Sequence, residues 1–257
     1  MKLRALAASC VRILDAPAGP KTALFKGLLS RSPSRMGFRI QHPDPHTIDH
    51  LYNEIFVRQY YFFPTDRKAP TVLDCGANVG MATAYFKWLY PHCRVRCFEA
   101  DMSTFELLQR NIAANHLTDV TVEHCALWDK NGETDFFTDP ANPSALSMST
   151  DPSYITGRAT KVATRRLSDF ITEPIDFVKI DVEGAEHRIL CDLVASGTIS
   201  LVRRMVIEYH HRMGQKKSCL AGFLEALEKS GFEYQLDVSL RTRNETFQSI
   251  HIVCYRD

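Results

Sequence analysis

The sequence is poor in the features that would mark a fibrous, disordered or membrane-embedded chain. Glycine and proline number only 12 each in 257 residues, too few and too scattered for collagen or a low-complexity segment. No stretch offers the roughly 20 predominantly apolar residues that a transmembrane helix needs. The most apolar run near the start, Leu3 to Leu14, is interrupted by Arg4, Ser9 and Arg12, and no small-residue cleavage pattern follows. It therefore reads as neither a secretory signal nor an anchor. The eight cysteines never occur as C-x-x-C. That spacing argues against a thiolate zinc site or a disulfide framework and suits a reducing, cytoplasmic setting. A surplus of one charge is missing too: 31 Lys and Arg face 30 Asp and Glu, a net charge of +1. So balanced a chain lacks the basic footprint of a nucleic-acid partner.

What is present is an ordinary globular composition, 45% hydrophobic and 24% charged, with an uneven start. Lys2, Arg4, Arg12, Lys21, Lys26, Arg31, Arg35 and Arg39 are opposed there by Asp15 alone. The breaks Ser32-Pro33-Ser34 and His42-Pro43-Asp44-Pro45 close this segment. Residues 1–45 are read as a basic extension and 46–257 as one domain. Ile48, Leu51, Ile55 and Phe56 mark one face of a helix, followed by the aromatic run Tyr60 to Phe63.

From residue 71 onward, short apolar strands alternate with helical patterns. Strands are expected at 71–75, 94–99, 120–122, 175–180 and 202–208, and helices at 81–90, 103–115, 185–196 and 219–230. Runs 232–238 and 249–255 flank a short polar segment and read as an antiparallel hairpin. The expected fold class is α/β: a seven-stranded, doubly wound, Rossmann-like sheet closed by that hairpin. Residues 129–174 stand out as an oversized connection. Ser144, Ser147, Ser149, Tyr154 and Arg158 give it hydroxyls and a cation suited to a polar substrate.

Four motifs carry chemistry. Val72-Leu73-Asp74-Cys75-Gly76-Ala77-Asn78-Val79-Gly80 places an acid at a strand end and glycines where the chain turns into a helix. A dinucleotide fingerprint would read G-x-G-x-x-G and aim a helix N-terminus at a pyrophosphate. The spacing here is G-x-x-x-G, and Asp74 would repel a phosphate but suits a ligand with an ammonium group. A purely structural βα turn is the alternative. Glu99 ends the second strand, where an acid can accept both hydroxyls of a ribose. Asp181 and Glu183 follow the fourth strand, at the edge where open α/β sheets bind ligands, and an extended backbone would point both the same way. Glu208, His210 and His211 end the fifth strand at the same rim. Such crowded acids raise a carboxyl pKa or recruit a cation. Lys179 reads as a snorkelling or paired side chain outside the site.

Together these motifs, with Phe98 before Glu99 and the run Asp176 to Glu186, resemble those of the FkbM family of S-adenosylmethionine-dependent methyltransferases, over about residues 45–255. The resemblance implies the class I methyltransferase fold and O-methylation of a hydroxyl on a sugar, glycan or secondary metabolite. Carried over by position, Asp74, Gly76, Asn78 and Gly80 would line the methionine part of S-adenosylmethionine. Glu99 would hold the ribose, and Ala100, Cys125 and Ala126 the adenine. Ala100 departs from the proline usual in the family. Asp181, also at the cofactor, is the first candidate to orient or deprotonate the acceptor. Glu183, Glu208 and His210 support it, either as bases or as ligands of a divalent ion such as Mg2+. The neighbouring readings are N-methylation and a cofactor-binding accessory module without turnover.

Overall fold

The computed structural model describes residues 37–42, 45–138, 148–150, 157–213, 219–238 and 248–256. Most of the basic extension, with Ser144, Ser147 and Tyr154, lies outside the described residues. The first element, α1 (Pro45–Tyr52), continues into a π-helical turn, Asn53–Val57. Then come β1 (Thr71–Cys75), α2 (Met81–Leu89), β2 (Arg94–Glu99), α3 (Met102–Ala114), β3 (Val120–His124), β4 (Ala126–Trp128) and β5 (Gly132–Thr138). The rest are β6 (Met148–Ser149), β7 (Arg158–Arg166), β8 (Phe177–Ile180), α4 (Glu186–Ser196), β9 (Arg204–His211), α5 (Leu220–Lys229), β10 (Glu233–Val238) and β11 (Gln248–Tyr255).

Seven strands form one sheet in the order β10-β11-β9-β8-β1-β2-β3. All pairs are parallel except those of β11, which runs antiparallel to both β9 and β10. The expected closing hairpin is thus present, with its second strand inserted beside β9. The central strands β1 and β8 are buried along their whole length, the pattern of a sheet covered by helices on either side, while the edge strand β10 is mostly exposed. On one face Val72, Phe177 and Val206 pack with Phe56, Tyr85, Phe86 and Leu108 from the π-turn, α2 and α3. On the other, Leu73, Val178 and Ile207 meet Ile189, Leu193, Phe223 and Leu227 from α4 and α5. Each such fully buried side chain contributes about 1.5–3 kcal/mol.

Caps fix the start of one helix and the end of another. Asp101 accepts a hydrogen bond from the Thr104 backbone N–H at 2.8 Å and fixes the beginning of α3. Gly197, at φ +74°, ends α4.

Two segments differ from the sequence reading. The connection 129–174 contains β5, β6 and β7, which join β4 in a second sheet ordered β4-β7-β5-β6. Its inner face is small, Ala126, Phe136 and Val162 with Met148 and Ala100 packed against them. Most of β7 is exposed, so little hydrophobic alternation marked it as a strand. At the other boundary, residues 37–42 are tied to the domain although they fall within the extension. The Gln41 N–H donates to Asn111 Oδ1 at 2.8 Å, and Asn111 Nδ2 returns a bond to the Gln41 carbonyl at 2.9 Å.

Candidate active site

The chain runs from β1 out to β3 on one side of the sheet, and from β8 to β9 on the other. The strand order therefore reverses between β1 and β8, where open α/β sheets form a crevice beyond their carboxyl ends. The turns after those strands meet closely. The Asp181 N–H bonds the Cys75 carbonyl at 3.1 Å, and a Cβ on Gly76 would stand 1.8 Å from the Asp181 carbonyl oxygen. With φ at +79°, Gly76 admits no other residue without moving backbone.

The crevice and its open mouth together hold about 930 Å3 of empty space. Its apolar lining includes Phe98, Ala100, Cys125, Ala126, Leu127 and Phe136. Its polar lining includes Gly76, Asn78, Glu99, Lys179, Asp181 and Glu183. Tyr61, Leu51 and Ile55 complete the wall from the N-terminal side, and Met148 and Thr150 from the second sheet.

Glu99 is 8% exposed. Its Oε2 accepts the Asn78 N–H and its Oε1 the Asp101 N–H, each at 2.9 Å. Burial pushes its pKa up to about 7 against the pull of those two bonds. Asn78 itself sits at φ +49°, and its Oδ1 accepts the Val79 N–H at 2.7 Å. That arrangement turns the loop's backbone toward Glu99.

Asp74 and Gly80, expected at the methionine part of the cofactor, are not among the residues that line the crevice. On a strand, alternate side chains leave opposite faces. Asp74 shares the face of Val72, points into the layer under α2, and is fully buried. Its Oδ2 accepts from Thr83 Oγ1 at 2.7 Å, while Oδ1 makes no hydrogen bond and faces Lys179 Nζ at 3.7 Å. Gly80 starts α2 at φ +91° and lets Leu108 approach; a Cβ there would meet Leu108 Cδ1 at 2.8 Å.

Asp181 and Glu183 converge, though not through an extended backbone: β8 ends at Ile180, and Glu183 and Gly184 lie at φ +55° and +105°. Their oxygens, with a His210 nitrogen, fall within 4.8 Å of one another. His210 is buried behind them. Its Nε2 lies 3.2 Å from Glu183 Oε2 and its Nδ1 2.8 Å from Glu186 Oε1. Burial disfavours the imidazolium, but Glu183 and Glu186 outweigh it and hold the His210 pKa well above the ordinary range. Burial raises Glu183 to about 8 despite the His210 charge, and raises Asp181 against the pull of Lys179.

Glu208 and His210 stand beside the crevice rather than in its wall. Register explains their company: His251 pairs with Glu208 and Ser249 with His210 across β9 and β11. Ser249 Oγ donates to Glu208 Oε1, and His251 Nε2 lies 3.5 Å from Oε2. Burial would raise the Glu208 carboxyl, yet these contacts and the His210 charge bring it well below the usual range. His211 points to the opposite face, toward Tyr209, away from this group.

The sequence reading passed over Lys179, Tyr61, Ser249 and His251. Lys179, excluded there, is 3% exposed and has its Nζ 3.3 Å from Asp181 Oδ2. Tyr61, noted there only as part of an aromatic run, places its hydroxyl 3.5 Å from the same oxygen. For Lys179 a signal existed: its period-two spacing with Asp181 puts both on one side of the strand.

Similarity to known proteins agrees with this geometry. Methyltransferase sdnD of Sordaria araneosa is 29% identical over 219 residues, 73% of this chain and 83% of that protein. The 31-O-demethyl-FK506 methyltransferase FkbM of Streptomyces tacrolimicus is 28% identical over 207 residues, 68% of this chain and 79% of its own. The solved METTL16 MTase domain superposes with a TM-score of 0.50 at 16% identity, over 92% of this chain and 80% of that one, a likeness of fold. The profile of the Methyltransferase FkbM domain matches residues 74–234. More than half of the chain lies in that match, and the protein belongs to the FkbM family of methyltransferases.

Proposed function

We propose that the protein transfers a methyl group from S-adenosylmethionine to a hydroxyl of a sugar, glycan or secondary metabolite. The donor set fits that cofactor. Glu99 offers a carboxylate for ribose hydroxyls, the Gly76–Asn78 turn and Asp181 offer polar groups for the amino-acid end, and Ala100, Cys125, Ala126 and Phe136 offer apolar surface for a base. When bound, S-adenosylmethionine supplies a methyl group made electrophilic by a positively charged sulfur.

The chain's own task is positioning and proton removal. Asp181, at the carboxyl end of β8 and 25% exposed on its side chain, is the observation that carries the reading. It holds the acceptor hydroxyl and takes its proton as the oxygen gains the new bond. Burial that raises its carboxyl makes it a stronger base than a solvated aspartate. Glu183 and His210 steady that edge, while Tyr61, Leu51 and Ile55 shield it from water. Transfer to oxygen rather than nitrogen is supported by the name of the Streptomyces relative, an O-demethyl compound's methyltransferase.

A Mg2+ ion is a poor match for this donor set, because it takes oxygen ligands and one of the three converging groups is an imidazole whose other nitrogen is paired with Glu186. No step is assigned to an ion.

The test uses S-adenosylmethionine labelled with 13C in the methyl group and small-molecule and glycan fractions from the source cell. A methoxy signal that appears with native protein and falls at least about 100-fold with Asp181→Asn is expected. An N-methyl product alone, no enzyme-dependent product, or native activity in D181N would overturn the proposal.

A further inference from the structure

Lys179 is the buried charge to which methyl transfer assigns no task. In the pairing of β1 with β8 it stands opposite Asp74. Its Nζ lies 2.5 Å from the Gly76 carbonyl oxygen, 3.3 Å from Asp181 Oδ2 and 3.7 Å from Asp74 Oδ1. The Tyr61 ring covers the ammonium with its centroid at 5.4 Å, and the Tyr61 hydroxyl reaches the same Asp181 oxygen. A desolvated ammonium is costly unless its partners are held in place. Two of these partners belong to different motifs, the glycine turn after β1 and the acid after β8.

We propose that Lys179 is a positioning residue: its ammonium holds the Asp181 carboxylate at the crevice and ties it to the Gly76 turn that shapes the cofactor pocket. The inference rests on the reading of Asp181 as the group that receives the acceptor's proton. A neutral Asp181 would already carry the proton it has to accept. Several groups face it. Glu208 and His210 project from β9, Glu183 from the loop after β8, Glu54 from the π-turn, Asp74 from β1, and Tyr61 from the wall. Burial and the carboxylates oppose its ionisation, His210 favours it from behind Glu183, and Lys179 is in direct contact.

The experiment needs no acceptor. Protein labelled with 13C at aspartate carboxyl carbons and saturated with S-adenosylhomocysteine is titrated by NMR, with D181N assigning the Asp181 signal. Lys179→Met is expected to raise the Asp181 midpoint by at least about one pH unit, and Lys179→Arg to restore most of that shift. A K179M midpoint equal to the native one overturns the proposal. Should K179M not fold, D181N reads the same contact from the other side. The Lys179 ammonium protons are expected to exchange slowly in the native protein and at least about tenfold faster once the carboxylate is neutral, and an unchanged rate is equally fatal. Turnover separates the two ideas, because a fully active D181N removes Asp181 from the reaction while the K179M shift still decides the positioning.

Discussion

Replacing Glu99 by Gln removes one charge from the crevice and keeps the side chain's shape. In the native protein both carboxylate oxygens are anchored by backbone N–H groups at 2.9 Å, yet burial holds the pKa up to about 7. Ribose hydroxyls donate to the ionised form. Binding therefore favours the carboxylate, and affinity is complete above about pH 7 and lost as pH falls through it, by at most about tenfold per unit. Losing a charge-assisted hydrogen bond costs about 1–3 kcal/mol, roughly 5- to 150-fold in Kd. Titration calorimetry with S-adenosylhomocysteine, from about pH 5.5 to about pH 8.5, measures both effects. The native protein should bind more weakly at the acidic end, and E99Q should bind more weakly at alkaline pH and vary little across the range. Native affinity in E99Q, or an unchanged pH slope in that variant, would show that Glu99 does not hold the ribose.

Other outcomes follow from packing. Gly76→Ala forces a Cβ to 1.8 Å from the Asp181 carbonyl and should cost more than about 3 kcal/mol in urea unfolding. Gly197→Ala, equally left-handed but with nothing within 4 Å, should cost about 1–2 kcal/mol; equal losses would refute the close contact. Asp74→Ala leaves Lys179 without one buried partner and Thr83 without its acceptor. Its principal effect should be a stability loss of about 3–5 kcal/mol, seen by calorimetric melting. If stability were unchanged and cofactor binding lost, Asp74 would be a cofactor residue after all. Dialysis against a chelator should leave both S-adenosylhomocysteine binding and methyl transfer within about twofold of native, since no step is routed through a metal. An activity loss restored by Mg2+ would reverse that assignment.

The sequence alone determined the order of the elements in and around the seven-stranded sheet, because each depends on local periodicity. The buried runs 71–75, 94–99 and 175–180, the helical stripes between them and the polar break before 249–255 each state their own structure. It also marked Gly76, Glu99 and Asp181, since a strand end followed by a tight turn is a local event whose position in an α/β sheet is predictable. Only the tertiary structure decided which side chains meet. Register set Asp74 against Lys179 and Glu208 against His251. Packing under α2 buried Asp74 away from the crevice, and a few apolar contacts made 129–174 a sheet. A residue's own neighbours fix the face it leaves, but what lies across that face comes from strands and helices distant in the chain. For that reason the site's anions were legible early, and the cation that holds one of them was not.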